Sequence, residues 1–294
     1  MPISRTGSTP ETAHDDDDLP TSVRFFRHPV TAVVTVALSM FTMIIGSGLI
    51  SAGFYLLAAW ITGSRADGAL RTVLGIASFV TTTIIAILLT LLWRRLARLP
   101  LRGLGIAPLS RLWLIVPGFA LAIGVNYAAA ALAVSFGASE WAPLQIDGLI
   151  IISVVTIFFG QAFPEELLWR GHLAELLSHR VRPVAIIAIT SVAFGAMHIV
   201  SGTDAQGTGE QLLYVLQATA LGLLMIAMRF GTATLWTAIG FHTGYNALFE
   251  VATPVPGSYG AELIARALLL VVCAAPILLV WKRRRENADI SANR

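Results

Sequence analysis

The chain has 294 residues, of which 56% are hydrophobic and 13% charged, with a mean hydropathy of +0.75 and a formal net charge of +3. Globular proteins carry about 25% charged residues, so this composition excludes an ordinary soluble domain and points to a bilayer. A pI near 9.4 does not signal nucleic acid, because the basic residues stand at the ends of apolar runs, and the single cysteine, Cys273, excludes an internal disulfide.

Residues 1–25 are polar, contain DDDD at 15–18, and lack the apolar core of a signal peptide, so a disordered solvated tail is expected there. A bilayer core takes roughly 20 apolar residues per helix. On that measure the chain offers about eight spans, near 30–62, 70–93, 111–136, 148–179, 183–200, 211–229, 231–251 and 262–281. The first is long enough to tilt or to extend beyond the hydrocarbon. The short RFGTAT joining the sixth and seventh predicts antiparallel neighbours. The expected domains are the tail, a transmembrane domain over 26–285 with its chemistry at about 148–250, and a C-terminal tail over 286–294. The fold class is an all-α polytopic bundle, since helices satisfy the backbone of such runs within lipid.

Charge orients these spans. Arg94, Arg95, Arg98, Arg102 and Arg111 join spans two and three; Arg180 and Arg182 join four and five; Arg229 lies between six and seven; WKRRR (281–285) follows span eight. The alternate loops GASEWAPLQID, SGTDAQGTGEQ and VATPVPGSYGAE contain no Lys or Arg, with Arg65, Arg71 and Arg266 as the exceptions on that side. The asymmetry predicts an even number of spans with both termini cytoplasmic. Arginine-rich usage, with Lys282 the sole lysine, suggests a bacterial source and hence the plasma membrane.

Ionisable groups at membrane depth are costly, and they mark function when they face a bundle interior. Span four carries Glu165, Glu166 and Arg170; span five ends in His198; span seven holds His242 and Asn246; span six adds Gln217 and Thr219, read as packing polar groups. Glu166 and Arg170 are four apart and can pair, while Glu165 points about 100° away and is left for another partner. At about 1.5 Å per residue, Glu165 and His198 lie roughly 22 and 24 Å from the arginines that end their helices, and His242 roughly 17 Å from Gly231. They can therefore meet inside the bundle. Pro164 should kink span four. Trp169, Phe194, Trp236 and Phe241 are expected core aromatics.

A carboxylate held away from bulk water can act as general base toward a water, with a histidine sharing the proton transfer. A second histidine and an amide can hold a developing oxyanion. Taken singly, each group has a plainer reading as a structural ion pair or an interhelical hydrogen bond. Jointly they suit peptide hydrolysis.

In order along the chain, EELLWR (165–170), FGAMH (194–198) and HTGYN (242–246) resemble the EExxxR, FxxxH and HxxxN motifs of the CPBP family of intramembrane proteases, which includes the CAAX prenyl endopeptidases. The resemblance implies that Glu165 activates water together with His198, that His242 and Asn246 form the oxyanion site, and that Glu166 and Arg170 support Glu165. It implies peptide or protein substrates in or near the bilayer, with lipid as the other partner. The preferred reading uses no cofactor, because no HExxH helix is present. The runner-up is a zinc protease built from Glu165, His198 and His242. A non-catalytic membrane scaffold and a proton-coupled transporter are the competing classes; the transporter lacks support from any internal repeat.

Overall fold

The computed structural model describes residues 19–63, 68–106, 108–138, 140–141, 149–248 and 259–292. Among them the secondary structure is helical: α1 (Thr21–Arg27), α2 (Pro29–Thr62), α3 (Gly68–Leu96), α4 (Ile115–Ser135), a composite α5 (149–178), α6 (Pro183–Met197), α7 (Thr208–Thr232), α8 (Trp236–Ala247) and α9 (Tyr259–Ala292). The DDDD segment lies outside the described residues.

Local chemistry sets several ends. Pro29 opens α2 at a position where its missing N–H is no loss, and the His28 side chain accepts from the Val30 N–H. Pro183 starts α6 in the same way. Gly63 closes α2 in the left-handed conformation.

The described residues reach into both tails. Helix α1 begins at Thr21 with Val23 buried, so the last part of the 1–25 segment is ordered. Helix α9 continues through WKRRREN to Ala292, which makes most of 286–294 helical.

Among the described residues, seven helical stretches are long and apolar enough to cross a membrane. The eighth expected span, 231–251, is represented by the twelve residues of α8, about 18 Å long. It is the most enclosed helix of the bundle, buried from Trp236 to Tyr245. The large apolar side chains of α2, α3 and α9, such as Leu49, Leu88, Leu268 and Val272, are exposed instead, as lipid-facing surfaces require. This is an integral membrane protein.

Helix α7 is central. Its most apolar window is 56% buried, against 33% or less for the other spanning helices. It packs mainly on α6 and α9. Helix α8 packs chiefly on α4, not on α7 as the short connection suggested. The reason is backbone proximity at two glycines. A Cβ on Gly240 would overlap the Ile115 carbonyl, and one on Gly118 would overlap the Thr237 carbonyl. Small residues thus let α4 and α8 touch along their backbones. Gly240→Ala is expected to cost about 1–3 kcal/mol, read as a lower unfolding midpoint in detergent, and to reduce activity because it displaces His242 two residues on.

Candidate active site

Pro164 lies inside α5, and the helix accommodates it with wider turns instead of a simple kink. α-Helical pieces Leu149–Ile157, Phe163–Glu166 and Ala174–Ser178 alternate with π-helical turns Phe158–Ala162 and Leu167–Leu173. A π turn relieves the clash between a proline ring and the carbonyl four residues earlier, and such turns often accompany functional sites. Here they flank Glu165 and Glu166.

Glu166 and Arg170 are both fully buried, 0% exposed. Arg170 donates from one terminal nitrogen to Glu166 Oε1 at 2.9 Å and from the other to the Gly222 carbonyl of α7 at 3.2 Å. The guanidinium also sits over the Phe194 ring, 4.3 Å from its centroid, a cation–π contact strengthened by the lack of water. Phe194, expected only as a core aromatic, is therefore the spacer of the site. Its ring stands between Arg170, Trp169, His198 and His242.

His242 is 1% exposed and joins the two acids. Its Nδ1 lies 3.0 Å from Glu166 Oε1, and its Nε2 faces Glu165 Oε2 at 3.9 Å. A carboxylate paired with arginine can only accept, so Nδ1 carries the hydrogen and Nε2 is the nitrogen turned toward Glu165. Glu165 Oε2 has no hydrogen-bond partner among the described residues. Gln161, one turn back in α5, is a neutral hydrogen-bonding neighbour of Glu165.

His198 stands at the end of α6 in the short 3-10 turn His198–Val200. Its Nδ1 is 2.8 Å from the Phe194 carbonyl. A carbonyl only accepts, so Nδ1–H donates and Nε2 keeps a lone pair. Its ring packs on Phe194 and on Tyr214, with centroids 4.7 and 5.8 Å away.

Of the expected residues, Glu165, Glu166, Arg170 and His242 are in direct mutual contact. His198 adjoins them through Phe194. Asn246 is one turn beyond His242 on α8 and half-buried. Two neighbours were not foreseen. Tyr214 of α7 lies against His198 and within electrostatic range of Glu165, and Gln161 precedes Glu165. Neither belongs to a spacing pattern; only helix packing brings them in.

Among the described residues, no three His, Cys, Asp or Glu side chains form a group that could hold a metal.

Gln217 donates to the Tyr245 hydroxyl at 2.7 Å, the interhelical role expected of it. Next to it, Arg266 donates to Asn126 Oδ1 and Asn126 donates to the Tyr245 carbonyl, which ties α9, α4 and α8 together behind His242.

Residues 147–248 match the family model described as type II CAAX prenyl endopeptidase Rce1-like. The matched stretch contains all six candidate residues. No curated protein matches the chain.

Proposed function

We propose, from the match of residues 147–248 to the Rce1-like family model of type II CAAX prenyl endopeptidases, that the chain hydrolyses peptide bonds of membrane-embedded or membrane-proximal substrates, using Glu165 as general base. The observation that carries the reading is an unpartnered buried carboxylate oxygen facing an imidazole that a second carboxylate holds by its other nitrogen. Among the described residues Glu166 Oε2, Trp169 Nε1 and Arg170 Nε also lack partners, and Glu165 Oε2 is the one of these atoms turned toward His242 Nε2, where a water can join the two.

In this mechanism Glu165 takes a proton from water, aided by the lone pair on His198 Nε2. The water oxygen bonds to the scissile carbonyl carbon, and the carbonyl electron pair moves to oxygen. That oxyanion is received at the site formed by the Asn246 amide and His242, the latter oriented by Glu166 through Nδ1. Collapse breaks the C–N bond, and the proton held by Glu165 goes to the departing amine. Arg170 balances Glu166, so His242 keeps its orientation. No step in this reading requires a metal.

The test compares new protein N termini in cells producing the wild type or His198→Ala. We expect termini present with the wild type and depleted at least tenfold with the variant, at equal membrane abundance. Identical termini in both would leave a non-catalytic scaffold. Stoichiometric zinc in the purified protein, lost in His198→Ala, would reverse the metal-free mechanism.

A further inference from the structure

The site is closed at one end of the bundle, and its half-buried side chains lie toward the other. At the closed end the connection between α3 and α4 turns inward. Arg94 donates to the Pro100 carbonyl and pairs with Glu175 at 3.4 Å, and Arg229 donates to the Gly103 carbonyl at 3.3 Å. Arg94 and Arg229, expected as solvated loop charges, are only 1% and 4% exposed and clamp this strap. Gly105 takes φ +76° directly against the Arg229 guanidinium, where a Cβ would overlap it. The Gly105 carbonyl then accepts from the Leu235 N–H at 2.9 Å, at the base of α8.

The strap inserts Leu104 into an apolar floor made with Leu167, Leu235, Trp236 and Ile239. Leu167 directly follows Glu166, and Ile239 is three residues before His242. Leu104 and Leu235 also lie against Gly171, which is nearer than Glu165 to the Arg180 end of α5. Glu165 stands near the middle of α5 (149–178), and the end of the bundle where α5 begins lies on its other side. There, His198, Tyr214, Asn246 and Gln161 are half-buried, and the connection 201–207 is mostly exposed. Gln211 holds that connection in one shape, donating to the His198 and Ile199 carbonyls and accepting from Thr203.

The sealed end is the basic one, with Arg180 and Arg182 and the exposed Lys282, Arg283, Arg284 and Arg285. At the other end, Asp204, Glu210 and Glu140 are the charges of the described connections 136–141 and 198–211, and those segments contain no Lys or Arg.

We propose that the site takes its substrate from the acidic, extracytoplasmic face: an outward-presented peptide segment of a membrane or secreted protein, not a cytoplasmic C terminus. This rests on the hydrolase reading for the word substrate, but the direction of access stands on the plug and on charge placement.

The direction is tested without turnover. In a Cys273→Ala background, Gln206→Cys, Tyr214→Cys, Leu104→Cys and Arg284→Cys are treated in intact cells with a membrane-impermeant maleimide, then again after permeabilisation. We expect positions 206 and 214 to react at least tenfold faster than 284 in intact cells, position 284 to react on permeabilisation, and position 104 to stay protected. Ser201→Cys replaces position 214 if that variant is not recovered in the membrane. Reaction of 284 from outside, or of 206 and 214 (or 201) only after permeabilisation, overturns the proposal. Cleavage sites found by the N-terminus comparison should map to outward-facing segments, and sites confined to the cytoplasm would also overturn it. Absence of any cleavage site would count against the hydrolase reading while leaving the labelling result intact.

Discussion

Glu165→Gln is expected to lower hydrolysis by about 10²- to 10⁴-fold, the usual loss when a positioned acid–base group is removed. The substitution keeps shape and removes the negative charge and the proton acceptor. Because Glu165 Oε2 has no partner among the described residues, the change breaks no recorded hydrogen bond at that oxygen. Folding and membrane insertion should therefore survive, and the loss should fall on kcat with KM nearly unchanged. The measurement is turnover of a precursor identified by the N-terminus comparison, using purified protein in nanodiscs. Retained turnover would remove Glu165 from the chemistry.

Arg170→Met should instead act on the fold. Arg170 and Glu166 are fully buried, and the guanidinium holds α5 to the Gly222 carbonyl and to the Phe194 face. Removing one partner leaves an uncompensated charge away from water, at a cost of about 3–5 kcal/mol. It should appear as a lower midpoint in a denaturing-detergent titration. Adding Glu166→Gln removes the orphaned charge, so the double variant should regain much of that stability. Activity should not return with it, because Glu166 no longer fixes His242 through Nδ1. A double variant as unstable as the single would show that the charge pair is not what the cluster contributes to the fold.

Glu165 and Glu166 within an apolar run were legible as a candidate site because hydrocarbon makes such groups costly. The four-residue spacing of Glu166 and Arg170 was legible as a pair because helical geometry is local. The roles of Arg94 and Arg229 were not. Both stand beside turns, as cytoplasmic charges do, and only the strap that folds back under α8 buries them against Glu175. Tyr214 was invisible for the same reason: its side chain is unexceptional on α7, and its importance comes from the end of α6 lying across it.

What the amino-acid sequence determined by itself was the solvent and the chemistry. Apolar runs of bilayer length required helices, and three short motifs on three of them supplied acid, base and amide. What the tertiary structure alone decided was arrangement: that α8 is a short enclosed helix seated on α4, that Phe194 spaces Arg170 from the imidazoles, and that an arginine-clamped strap closes one end of the site. Helix periodicity fixes which residues share a face of one helix, whereas depth, tilt and partner depend on contacts between residues far apart in the chain.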